Sequence, residues 1–235
     1  MKKLVRQETI KTLVKSPTFI LVGSVGALIL SQFVSSLILT ILPTDSYSDS
    51  INSLVSITAV GLTFSALLAG AIKLYGGGVS SLGLRRPKKR WLKITVLSIV
   101  GYLIFSSLLI IAISYLFKNF DPNQAQDVGI SGALSLSDKI AGFFAIVVLT
   151  PIIEETLFRG IIFRGLRFSS PFWLAAFVSS GLFALAHGQW NVALDTFVLG
   201  LVLAYLVEKT KSIAPGILIH ALKNSLAFTL LFVIT

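Results

Sequence analysis

Thr150-Pro-Ile-Ile-Glu154-Glu155-Thr-Leu-Phe158-Arg159-Gly160 sets two adjacent carboxylates and an arginine inside an apolar run. The residues before it, Ile140 to Leu149, are almost entirely hydrophobic. A bare carboxylate in hydrocarbon is costly, so such residues face a bundle interior and mark a functional site. The composition around this stretch says what the hydrocarbon is. The chain has 235 residues, 54% of them hydrophobic and 13% charged. Its mean hydropathy is +0.88. A soluble domain carries about 25% charged residues, so the reading is an all-α, polytopic membrane protein. There is no cysteine, which excludes a disulfide, a thiolate nucleophile and a cysteine metal ligand.

Outward from the stretch, apolar runs alternate with basic ones. Thr18 to Leu42 is too long for a signal-peptide core and is expected to be the first span. Leu54–Tyr75 and Trp91–Phe117 follow, then Ile140–Phe158, Phe172–Ala186, Val192–Val207 and Ile213–Ile234. The fifth and sixth are short against the roughly 20 residues that a bilayer requires. Seven transmembrane helices result. The regions are read as 1–137, three spans with a basic loop, and 138–235, a four-helix catalytic region, within one integral membrane domain.

The net charge of +10 would suggest nucleic acid in a soluble protein. Here the cations cluster between apolar segments, as orientation signals and contacts for anionic lipid. No nucleic-acid partner is expected; membrane lipids are. With the N-terminus in the cytoplasm, the inner segments carry the five cations of 1–15, the run Arg85-Arg-Pro-Lys-Lys-Arg90 with Lys93, then Arg159, Arg164 and Arg167, then Lys209 and Lys211. The outer segments carry Lys118 and Lys139. The chain is therefore expected in the plasma membrane with its N-terminus inside.

On a helix Glu154 and Glu155 point about 100° apart. Glu155 precedes Arg159 by four residues, the favourable order for an ion pair on one face. That leaves Glu154 as the candidate general base. The pair with Arg159 could equally be a structural staple. Both histidines of the chain lie in apolar runs. His187 ends Phe183-Ala-Leu-Ala-His187, and His220 shares a face with Asn224. Counting rise along the helices puts Glu154 and His220 at similar depth. His187 matches them only if residues 169–177 protrude below the membrane. Asp195, inside the sixth run, is expected to pair with Lys223 or to line a cavity. Gly160, Gly165, Gly181 and Gly200 are expected to permit close helix packing.

Glu-Glu-x-x-x-Arg, Phe-x-x-x-His and His-x-x-x-Asn, in this order and on separate helices, resemble the CPBP (Abi) intramembrane proteases. That family groups type II CAAX prenyl endopeptidases with bacteriocin-processing and bacteriocin-immunity proteins. The resemblance covers roughly residues 140–234. It implies an endopeptidase acting on membrane-anchored or prenylated proteins or peptides, processing a CAAX box or a bacteriocin leader. Glu154 would activate water with help from His187. His220 and Asn224 would stabilise the oxyanion. Glu155 and Arg159 would support them.

No cofactor is expected. If a metal were present, Glu154, His187 and His220 would ligate it, since two histidines and a carboxylate can hold zinc with a fourth position open. Two other classes compete: a non-enzymatic immunity or scaffold protein, and a proton-coupled transporter using Glu154 and His187 as a relay.

Overall fold

The structure, a computed structural model, describes residues 17–41, 49–75, 82–87, 91–122, 124 and 134–234. The basic segment 1–15, the glycines 76–78 and the cations 88–90 lie outside the described residues. The regular secondary structure among the described residues is helical, with no strand. The helices are α1 (Pro17–Ile41), α2 (Asp49–Tyr75), α3 (Trp91–Leu116), α4 (Leu136–Leu166), α5 (Phe172–Leu185), α6 (Trp190–Thr210) and α7 (Ala214–Phe232). Among the described residues α3, α4, α6 and α7 are long and apolar enough to cross a membrane.

The surface of α3 supports the membrane reading. Leu92, Val96, Leu97, Val100, Leu103, Ile104 and Phe105 are exposed, whereas Thr95, Tyr102 and Ser106 are buried. An apolar outside over a polar inside is unstable in water and suits lipid.

The chain forms two compact units. The first holds residues 1–79, 128–154 and 220–235. In it α1 packs on α2, and α2 lies along residues 136–149 of α4. Gly61 permits a close approach, because a Cβ there would sit 2.8 Å from Ile153 Cδ1. The second unit holds residues 80–127 and 155–219. Here α6 packs on α3, α5 and the later part of α4. Its core is Phe163, Phe183, Leu199, Leu203, Ala204 and Leu206.

Helix α4 is longer than expected at both ends. Ser135 starts it with a capping box: Asp138 N–H donates to Ser135 Oγ at 3.2 Å, and Ser135 N–H to Asp138 Oδ2 at 3.1 Å. Two orphan donors are satisfied reciprocally. Past Glu155 the helix runs on to Leu166, because Arg159 is buried rather than a terminal cation. Two stretches, Phe144–Leu149 and Thr156–Phe163, are π-helical. Such widened turns are uncommon and recur at functional sites.

Trp173, Leu174 and Phe177 are exposed on α5. An apolar stripe of this kind suits lipid, which argues against residues 169–177 protruding into cytoplasm. Gly181, also expected at a close contact, has nothing within 4 Å of its would-be Cβ.

Candidate active site

The first unit brings Glu154, His220 and Asn224 together. His220 Nε2 lies 3.6 Å from Glu154 Oε2. His220 is buried, and Glu154 is partly exposed. Glu154 Oε2 is itself shielded and makes no hydrogen bond among the described residues. The separation is just beyond hydrogen-bond length.

Asn224 is held by a break in the backbone ladder of α4. The N–H of Thr150 donates five residues back, to Ala145 O. The next donor in that register would serve Ile146 O, but residue 151 is proline and has no N–H. Asn224 Nδ2 donates to Ile146 O instead, at 2.9 Å. The amide thereby satisfies a carbonyl left open inside the helix and is fixed in place. Phe143 and Phe228 pack edge to face at 5.7 Å, docking α7 on the same stretch. Pro151 and Ile146 were not singled out in the sequence; a proline inside an apolar helical run was the available signal.

The second unit holds Glu155, Arg159 and His187. Arg159 Nη1 donates to Glu155 Oε1 at 3.0 Å, and both side chains are fully buried. The guanidinium carbon stands 4.2 Å from the centroid of the Phe183 ring. Phe183 in turn positions His187: its carbonyl is 2.8 Å from His187 Nδ1, and the two rings meet edge to face at 4.8 Å. Ring nitrogen Nδ1 thus faces a backbone carbonyl, which in the neutral ring places the hydrogen on Nδ1.

Two glycines make this pair possible. A Cβ at Gly200 would lie 3.0 Å from Arg159 Nη2 and 2.8 Å from Ser180 Cβ. A Cβ at Gly216 would lie 3.1 Å from Glu155 Oε2. Gly216 was missed in the sequence, because nothing local marks a glycine that faces a distant carboxylate. Gly160 meets the expectation of close packing, with its would-be Cβ 2.8 Å from Leu82 O.

Asp195 takes hydrogen bonds from Tyr102 Oη at 2.7 Å and from Ser106 Oγ. These two explain the polar buried face of α3. As for a metal, among the described residues no group of three or more His, Cys, Asp or Glu is arranged to hold one.

All three motifs fall within residues 136–226, which match the family model described as type II CAAX prenyl endopeptidase Rce1-like. The chain is 28% identical over 211 residues to the membrane-embedded CAAX protease MroQ of Staphylococcus aureus (strain USA300), covering 83% of this chain and 82% of that one. It is 35% identical over 92 residues to an uncharacterized 24.3 kDa protein of Escherichia coli, of which it covers 42%. It is 33% identical over 78 residues to YdiL of Bacillus subtilis (strain 168), named as a candidate membrane peptidase, of which it covers 32%. No solved structure matches. With the motifs inside the matched stretch, the chain is similar over residues 136–226 to the Rce1-like CAAX endopeptidases, and its relatives named as membrane proteases support reading it as a membrane protease.

Proposed function

We propose that the protein is a glutamate-dependent intramembrane endopeptidase with a site open to the cytoplasm. Glu154 removes a proton from water as its oxygen attacks the scissile carbonyl carbon. His187 orients that water through Nε2. His220 and the second amide hydrogen of Asn224 stabilise the oxyanion, as donors aimed at developing charge do. Glu154 then returns the proton to the leaving nitrogen. The observation that carries this reading is the approach of His220 Nε2 to Glu154 Oε2, 3.6 Å apart, with that oxygen shielded and without a hydrogen bond among the described residues.

The substrate class we propose is a membrane-anchored protein or peptide, prenylated where the cell prenylates. The catalytic region is 138–235, carried in a seven-span chain with its N-terminus in the cytoplasm. The reaction is proposed to need no metal, because one carboxylate and a set of donors suffice for it.

The test is cleavage of membrane-bound candidate peptides by the protein reconstituted in vesicles, with Glu154→Gln alongside. Cleavage lost in a folded Glu154→Gln supports the mechanism. Normal cleavage in that variant rejects it. An intact protein that cuts nothing, given prenylated and unprenylated peptides, points to the immunity or scaffold reading. Loss of activity with a chelator, restored by zinc, would reject the metal-free reading.

A further inference from the structure

Three basic segments of the second unit converge. They are residues 82–87, the end of α4 at Arg164 to Arg167, and the turn from α6 into α7. The loop 82–87 is pinned rather than solvated. Gly83 O accepts from Ile213 N–H at 3.0 Å, Ser212 Oγ donates to Arg85 O at 2.6 Å, and Arg85 Nε donates to Lys211 O. Gly83 has φ +88°, and a Cβ there would sit 2.5 Å from Arg164 Nη1. A glycine is thus required both for the turn and for room beneath the guanidinium.

The pinning brings Arg85 within electrostatic reach of Arg164. The acid nearby is already committed: Glu208 pairs with Arg167 at 3.0 Å and with Lys211 at 3.4 Å. Among the described residues neither Arg85 nor Arg164 has a carboxylate partner, and Arg164 Nη1 is shielded with no hydrogen bond. Two guanidiniums held together without an acid call for an anion, and guanidinium is the group best matched to phosphate oxygens. In the same unit Phe168 and Trp173 are exposed, 77% and 68%. Exposed aromatics beside cations are the pattern of a membrane–water interface.

We infer that Arg85 and Arg164 form a binding site for the phosphate of an anionic phospholipid headgroup. This does not rest on the catalytic reading. Orientation by the positive-inside rule asks only for charge near the surface. A headgroup site also needs this loop geometry.

The experiment uses the full chain in nanodiscs of phosphatidylcholine doped with phosphatidylglycerol, with lipid retention read by native mass spectrometry. The wild type should retain phosphatidylglycerol over phosphatidylcholine. Arg85→Gln and Arg164→Gln should each lower that retention about tenfold, as loss of a charge-assisted hydrogen bond worth about 1.5 kcal/mol does. Lys209→Gln, whose ammonium sits 5.5 Å from the Tyr205 ring, should change it little. If Arg164→Gln does not fold, Arg164→Lys replaces it and should still weaken retention, through loss of the planar fork. No lipid preference in the wild type overturns the proposal. So does an equal loss in Lys209→Gln, which would mean surface charge alone. Displacement by millimolar inorganic phosphate would identify a soluble-anion site and reject the lipid as its occupant.

Discussion

Arg159 lies over Phe183, with its guanidinium carbon 4.2 Å from the ring centroid, and the carbonyl of Phe183 holds His187 Nδ1 at 2.8 Å. Glu155, Arg159, Phe183 and His187 are therefore one packed block within the second unit, with Arg159 at its centre. Arg159→Ala would take the guanidinium away from the fully buried Glu155 carboxylate. Removing one partner of a buried ion pair costs about 3–5 kcal/mol. A large drop in the thermal midpoint in detergent is expected, with a smaller one for Arg159→Lys, which keeps the charge and loses the planar face. An unchanged midpoint in Arg159→Ala would show that the pair does not support the fold.

The two glutamates should separate cleanly by experiment. Glu154→Gln removes the proposed base while leaving the Glu155–Arg159 pair intact. Its melting point should stay near that of the wild type, while cleavage falls about 10²–10⁴-fold, the usual range for a general base. Glu155→Gln instead removes the charge that faces the buried Arg159 guanidinium, so its main effect should be on stability. Parallel melting and cleavage assays decide the matter, and the opposite pattern would exchange their roles.

Pro151 should act on Asn224. In an ordinary helix interior, replacing proline by alanine relieves a cost of about 3 kcal/mol. Pro151→Ala would also supply an N–H that competes with Asn224 for the carbonyls of the widened turn. The expected outcome is a variant at least as stable as the wild type that cuts more slowly. The double variant with Asn224→Ala should lose no more than Asn224→Ala alone, since both act through Ile146 O. Additive losses in the cycle would disconnect the two residues.

The glycines divide into two kinds. Gly200→Ala and Gly216→Ala push a methyl group against Ser180, Arg159 or Glu155. Each should cost about 1–3 kcal/mol, as overpacking does. Gly181→Ala meets open space and should raise helix stability by up to about 1 kcal/mol. Chemical or thermal unfolding of the three variants measures this. Destabilisation by Gly181→Ala equal to that of Gly200→Ala would contradict the packing described.

Hydropathy made the apolar helices legible, because burial in lipid needs only a run of the right length. The three motifs were legible as residue types at helical spacing. The ends of α4 were not: Arg159 reads as a terminal cation until its partner at the i−4 position is seen fully buried with it. The capping box at Ser135 and Asp138 has the residue types such a box uses at its spacing. The π turns carry no side-chain signature, so the open carbonyl of Ile146 and its tie to Asn224 could not be read in advance. Nor does sequence spacing link Asp195 to residues about ninety positions earlier on another helix.

That last link carries its own prediction. Asp195 takes hydrogen bonds from Tyr102 and Ser106 inside a pair of apolar helices. Asp195→Ala removes the acceptor from both hydroxyls at once, and each buried group left unsatisfied costs about 1–3 kcal/mol. Asp195→Asn keeps a carbonyl oxygen to accept and should lose less. Tyr102→Phe removes only one donor and leaves Ser106 in place, so its loss should be the smallest of the three. Thermal midpoints in detergent should therefore fall in the order Tyr102→Phe, Asp195→Asn, Asp195→Ala. If Asp195→Ala melts like the wild type, this carboxylate does not hold α3 against α6, and the polar face of α3 needs another explanation.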